Sequence, residues 1–403
     1  MILFFLVILI SALGIKYFND NYIYTDTISE NIFIENIDVS LLSKEDALKK
    51  LKNDIKINDI TLKYNDKEYN ITPNDFDLKY NFEELVDKAF YYTKTDDYFE
   101  NVKRFFNLKN NKKEFSITPT YDEAKLSAMI DNISKDINIE VKDATVYISD
   151  SGDVSKTKSR TGLELDVVSA KEDIYNAIKS KEDKIIELNV KVIEPRISTD
   201  DANSVNVLLA EYTTKFSTSN KNRSENISIA AQKTSDVVLM PGEEFSYNTL
   251  TGRRTKANGY KDAPVIINGK LEEDVGGGVC QVSSTLFNSV MYSGLDITSR
   301  RNHSLKSSYV PIGQDAMVAD GGSDFRFKNN YNHPVYIKNI VHDGYITSRI
   351  YGNIEDKKNI TIKVDAYKEN GLDAAKTYIE YRDESGNITD TEYIGKSIYK
   401  NPK

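Results

Sequence analysis

The sequence predicts an α+β chain with four parts in order. An N-terminal membrane helix leads into two repeated small α+β modules. A larger α+β domain with a nucleophile at a helix N-terminus follows, and a β-rich tail closes the chain. Three observations carry that reading. The first fifteen residues, "MILFFLVILISALGI", are almost wholly apolar. A hairpin followed by a helix recurs within the first half. Most of the glycines, and all three histidines, lie beyond residue 240. The expected divisions are 1–19, 20–115, 116–198, 199–352 and 353–403.

The apolar start is short for a spanning helix, which needs about 17 to 25 residues. Lys16 could snorkel, and Tyr17 and Phe18 could sit at the interface. An uncleaved single-pass anchor in the cell membrane is the leading expectation, with a cleaved signal peptide and a buried core segment as the alternatives. Either of the first two places residues 20–403 outside the cytoplasm. A net charge of −9 with no long basic run excludes broad nucleic-acid binding.

Residues 34–51 read as an extended entry, a turn and a helix announced by Ser43-x-x-Asp46. Residues 59–71 alternate apolar and polar around Asn65-Asp66, which predicts a hairpin, and 81–92 have helical spacing. The order returns as strand, Ser151-Gly152 turn and strand over 144–166, then a helix over 169–180. Residues 184–197 read as an alternating strand ending at Pro195. Nothing in 20–198 has the look of a catalytic group. Paired acids such as Glu83-Glu84 read as solvated helix faces, so a binding or spacer role suits this region. From about residue 199 a helix runs into a strand, 222–235 is helical, and Pro241-Gly242 makes a turn. The last segment reads as a structural hairpin around Ser385-Gly386-Asn387.

Cys280 is the chain's single cysteine, set after three glycines in "EDVGGGVCQVSS". One cysteine makes no intrachain disulfide, which leaves an intermolecular bridge, a buried inert thiol or a nucleophile. Val282, Leu286, Phe287 and Val290 follow at helical spacing and Gly294 is a natural stop, so Cys280 falls at a helix N-terminus. Unpaired N–H groups and the helix dipole there favour a thiolate. Gly276, Gly277 and Gly278 allow close backbone approach, and their N–H groups, with that of Cys280, could stabilise an oxyanion. A thiol nucleophile needs a base. His303 is the better candidate, His333 before Pro334 the weaker, and His342 at the Asp343-Gly344 turn reads as a surface residue. No Cys/His spacing provides three metal ligands, and no cofactor is expected.

The stretch from "PGEEFSYNTLTGRRT" through "GGGVCQVSSTLFNSV" to "HSLKSSYVPIGQDAMVADGGSDFRFKNNYNHPVYI" resembles the VanW domain family over roughly 212–352. The preceding repeats resemble, more loosely, peptidoglycan-binding modules, and the tail resembles a segment that often follows VanW domains. The resemblance implies cell-wall work. Some family members are understood as L,D-transpeptidases that use the cysteine of the GGGVCQ segment, and they lack the Ser-His-Gly-Cys signature of better-known enzymes of that activity. Carried over by position, Cys280 is the nucleophile and His303 the base. Asp324 or Asp315 would orient the histidine. Arg253 would bind a substrate carboxylate, and Gly277, Gly278, Gln281 and Asp315 would line the substrate site. The expected partners are peptidoglycan stem peptides. Two rivals remain open: a cysteine peptidase or carboxypeptidase acting on the same stems, and a non-catalytic wall-binding protein.

Overall fold

The computed structural model describes residues 2–56, 58–180, 184–267 and 270–401. The chain forms two compact units, Met1–Glu140 with Gly162–Ile193, and Val141–Thr161 with Glu194–Lys403.

In the first unit, helix α1 (Ile2–Phe18) is apolar up to Ile15 except for Ser11 and carries Lys16 in its last turn, and Leu6, Val7, Ile8, Leu9, Ile10 and Leu13 are exposed. Its 17 residues extend about 25 Å at 1.5 Å per residue, against a hydrocarbon core of about 30 Å. Among the described residues no helix is long and apolar enough to cross a membrane, so the spanning anchor expected over 1–19 is not supported. Among the described residues five further α-helices follow: α2 (Lys44–Asp54), α3 (Phe82–Phe90), α4 (Tyr98–Leu108), α5 (Glu123–Ile137) and α6 (Val167–Ser180). The Ser43 side chain accepts from the Asp46 N–H at the start of α2, the capping pattern its spacing announces. The hairpin of Ile60–Tyr64 with Lys67–Ile71 turns at Asn65, whose φ is 52°.

Lys184–Glu187 joins that hairpin as a parallel neighbour of Ile60–Tyr64. Residues expected as two successive modules therefore share a single apolar core running from Ile28 to Leu188. The expected strand over 184–197 is two strands, Lys184–Glu187 and Val190–Ile193. Asn189 stands between them, and its carbonyl accepts from the Asp166 N–H. The hairpin of Thr145–Ile148 with Val154–Thr157 belongs to the second unit. Its Val146 and Ile148 are buried there beside Tyr336.

The second unit is built around one enclosed helix. Its helices are α7 (Thr199–Ser204), α8 (Lys221–Lys233), α9 (Tyr247–Thr251) and α10 (Val279–Ser293). A four-stranded sheet in the order Val207–Lys215, Tyr345–Gly352, Val335–His342, Val237–Leu239 packs against α10. Asn359–Glu369, Leu372–Arg382 and Ile388–Tyr399 form an antiparallel C-terminal sheet. Apolar spacing alone predicts one buried face for α10, yet nearly every residue of it is buried. The rest of its surface carries small polar residues whose hydroxyls and amides bond to carbonyls. Ser284 donates to Cys280 O, Thr285 to Gln281 O and Asn288 to Ser284 O, each at 2.7 Å. Their donors are satisfied this way, which lowers the cost of burying them, and Asn288 Oδ1 is left without a partner.

Candidate active site

Three glycines set where α10 begins. Gly276 and Gly278 have φ of 92° and 104°, a region side chains rarely adopt. Gly277 lies so close to the neighbouring strand that an added Cβ would stand 2.6 Å from Ala263 O and 2.7 Å from Pro264 O. Its carbonyl accepts from the buried Asn226 amide at 3.0 Å. Gly277→Ala must push backbone away from backbone, and we expect a loss of about 1–3 kcal/mol in stability. Thermal denaturation followed by circular dichroism measures it as a midpoint lowered by several degrees.

Cys280 follows on the first turn of α10, half-buried, with its Sγ 3.4 Å from Val318 O. It lines a cleft of about 710 Å³ together with Arg223, Arg254, His303, Tyr309 and Asp320. Residues 300–325, which supply part of the cleft lining, contain no helix or strand. Loops of that length in a compact domain are usually functional, and this one is tied down closely. Ser283 donates to Ala316 O at 2.6 Å, and the Ala316 N–H donates to Ser284 Oγ at 2.9 Å. Arg300 donates through Nε to Asp315 O at 2.6 Å and through Nη2 to Gly313 O at 3.1 Å.

His303 is buried, and its Nδ1 lies 2.6 Å from Asp315 Oδ2, which leaves Nε2 for the sulfur. The ring of Tyr309 stands edge-on to it at 6.5 Å. Asp315 is fully enclosed and takes four donors. The His303 N–H and ring both reach Oδ2, while Tyr399 Oη at 2.6 Å and Arg300 Nη2 at 3.2 Å reach Oδ1. Burial works against its charge, but the bonds from His303 and the Arg300 charge outweigh it and hold the carboxyl below its usual range. Burial likewise opposes the His303 cation. Its bonds to Asp315 and Cys280 dominate, and its pKa rises to about 10. Burial pushes the Cys280 thiol up, while the hydrogen bond and charge of His303, helped by a backbone hydrogen bond at Val318 and the Arg254 charge, bring it below its ordinary value. Each partner thus favours the charged form of the other, thiolate beside imidazolium.

The structure brings Cys280, His303 and Asp315 into one array, flanked by Gly277, Gly278 and Gln281. Asp324 stands elsewhere. It accepts from Ser246 Oγ at 2.7 Å, the Asn248 N–H at 2.9 Å and Arg326 Nε at 2.8 Å, and so fixes the start of α9. Arg253 is exposed and does not line the cleft, whereas its neighbour Arg254 does. Arg254 is paired with Asp320 at 2.5 Å, with its side chain 7% exposed. His333 bonds to Asp356 at 3.0 Å and His342 is exposed at its turn. Among the described residues no cluster of His, Cys, Asp and Glu could hold a metal ion.

Two contributors escape a reading of the sequence alone. Arg223 sits four residues before the buried Ile227, on the stripe of α8 that continues through Ala230 and Ala231. An arginine on an apolar stripe was the signal available. Tyr399 comes from the C-terminal sheet, expected to be only a structural tail. Its hydroxyl donates to Asp315 Oδ1 and accepts from the Gly313 N–H at 2.9 Å. Tyr399→Phe leaves that N–H buried without a partner. We expect about 1–3 kcal/mol lost in thermal or urea unfolding, with slower Cys280 alkylation as Asp315 loosens.

The family described as "VanW like protein" matches residues 222–351, a span that contains Arg223, Cys280, His303 and Asp315 and stops short of Tyr399. The family described as "Putative peptidoglycan binding domain" matches residues 69–187. The chain is 37% identical over 248 residues to "Uncharacterized protein YoaR" of Bacillus subtilis, covering 60% of this chain and 80% of that protein. It is 30% identical over 174 residues to "Vancomycin B-type resistance protein VanW" of Enterococcus faecalis, covering 42% of this chain and 58% of that protein. No solved structure matches.

Proposed function

The chain belongs to the VanW family, and we propose that it is an extracytoplasmic peptidoglycan L,D-transpeptidase working through a cysteine acyl-enzyme. The observation that carries the reading is the Cys280–His303–Asp315 array at the edge of a cleft, in a chain that also matches a peptidoglycan-binding domain. In this reading the Cys280 thiolate attacks the carbonyl carbon of the third stem residue. The Cys280 N–H, left without an intrahelical acceptor on the first turn, donates to the oxyanion. The C–N bond breaks, and the terminal amino acid leaves with a proton from the His303 imidazolium. A thioester remains on Sγ. The side-chain amine of a neighbouring stem gives a proton to His303 as it attacks that thioester. A new amide forms, and the thiolate is released. Asp315 holds the histidine with Nε2 toward sulfur throughout.

The matched peptidoglycan-binding region would hold the enzyme against the wall. The exposed apolar helix α1 at the start of the chain supports export. Incubating the purified protein with defined tetrapeptide stems and analysing products by mass spectrometry tests the reading. Cross-linked dimers with release of the terminal residue are expected. Tripeptide without dimer would make the enzyme a hydrolase, and unchanged substrate would remove the catalytic reading.

A further inference from the structure

Arg223 is held in place from two sides. An added Cβ on Gly278 would stand 3.0 Å from its Cγ, so the side chain runs directly over the glycine that starts α10. Its Nη2 donates to Gln281 Oε1 at 2.7 Å. The Gln281 amide is itself fixed, because Nε2 donates to Lys215 O at 2.9 Å and to Thr214 Oγ1 at 3.1 Å. The guanidinium is thereby anchored to the residue after Cys280, and its aliphatic stem is packed on the glycine two before it, in the wall of the cleft.

Its charge is uncompensated. The other cations of the cleft have carboxylates, Arg254 with Asp320 at 2.5 Å and Lys256 with Asp262 at 2.7 Å. Among the described residues none pairs with Arg223, whose hydrogen-bond partner is the neutral Gln281. Burial pushes its pKa down, a sign that the cation is partly stripped of water. A half-desolvated guanidinium with one of five donors spent on an amide is costly until an anion arrives. A carboxylate matches its fork geometry and supplies the missing charge.

We propose that Arg223 is the carboxylate subsite of the cleft. The ligand class is a peptide whose scissile bond lies one residue before a free C-terminal carboxylate. This rests on the acyl-transfer reading of Cys280 and deepens it. The site then selects donors that expel a single amino acid, and it discriminates against chains amidated at that carboxylate or extended beyond it. The loss for an amidated donor should be about 10-fold or more, appearing in KM if the carboxylate is held equally throughout the reaction.

Since Cys280 is the chain's single cysteine, charge-selective alkylation reads the subsite without a natural substrate. Iodoacetate and iodoacetamide differ at one group, carboxylate against amide. Their rate ratio at Cys280, divided by the ratio for a free thiol in solution, measures carboxylate attraction. His303 contributes equally in all variants that keep it. The normalised ratio should exceed one in the wild type and fall about 5-fold or more in Arg223→Gln. It should be largely kept in Arg223→Lys and unchanged in Arg253→Gln. An unchanged ratio in a folded Arg223→Gln, judged by its thermal midpoint, overturns the subsite. Should that variant not fold, protection of wild-type Cys280 from iodoacetamide by free-acid and amidated tetrapeptides decides instead, and equal protection overturns it. The iodoacetamide rate alone reports on the nucleophile. A rate no faster than a free thiol's counts against the acyl-transfer reading, whatever the ratio shows.

Discussion

Cys280→Ala should lose all detectable turnover on stem peptides and every trace of covalent adduct, with its thermal midpoint moved by no more than a few degrees. The expectation rests on placement. The thiol is half-buried at the cleft edge and bonds to Val318 O and His303, so truncation removes one sulfur and little packing. The imidazolium left behind keeps its bonded carboxylate at 2.6 Å, so no buried charge is orphaned. Cys280→Ser should be equally inactive, because a hydroxyl in this setting stays protonated where a thiol ionises. A buried inert thiol would behave in the opposite way, with full activity and a stability loss.

His303→Ala should lower turnover by about 10² to 10⁴, the reach of a general acid–base group. Asp315→Asn should fall in a similar range, because an amide can no longer fix the ring tautomer or compensate its charge. The pH dependence follows from the two shifts. His303 is raised to about 10 from an ordinary value near 6.5. Its contribution to stability is therefore full below about pH 6.5 and lost as pH rises through about 10. Cys280 is lowered, so its contribution is present above its ordinary value and lost as pH falls through the folded one. Activity should be bounded on the acid side by protonation of the thiolate and on the alkaline side, near pH 10, by loss of the imidazolium proton. Iodoacetamide rates against pH should show a thiol midpoint below about 8.5 in the wild type and a rise toward it in His303→Ala.

What the sequence made legible was local. Three glycines before a cysteine, apolar spacing after it and Gly294 beyond it place Cys280 on the first turn of a helix, where α10 begins. The hairpin at Asn65 and the cap at Ser43 are read from neighbours within a few residues. What stayed hidden depends on contacts far apart in the chain. Asp315 and Asp324 are equivalent as letters in one long loop. Only the folding of 300–325 onto Ser283 and Ser284 brings the first to His303, while Arg326 and Ser246 take the second. Arg253 and Arg254 are adjacent in an irregular stretch, and such a stretch has no period to say which one turns inward. Tyr399 lies 84 residues from Asp315, and no local pattern could tie a tail strand to a buried carboxylate.

Intact-mass measurement after rapid acid quenching of the protein with a free-acid tetrapeptide stem bears most directly on acyl transfer. The wild type should gain the mass of the stem less that of the released terminal amino acid, as a thioester on Cys280 that hydroxylamine removes. An adduct carrying the whole stem, an adduct mapped to another residue, or turnover persisting in Cys280→Ala would contradict it.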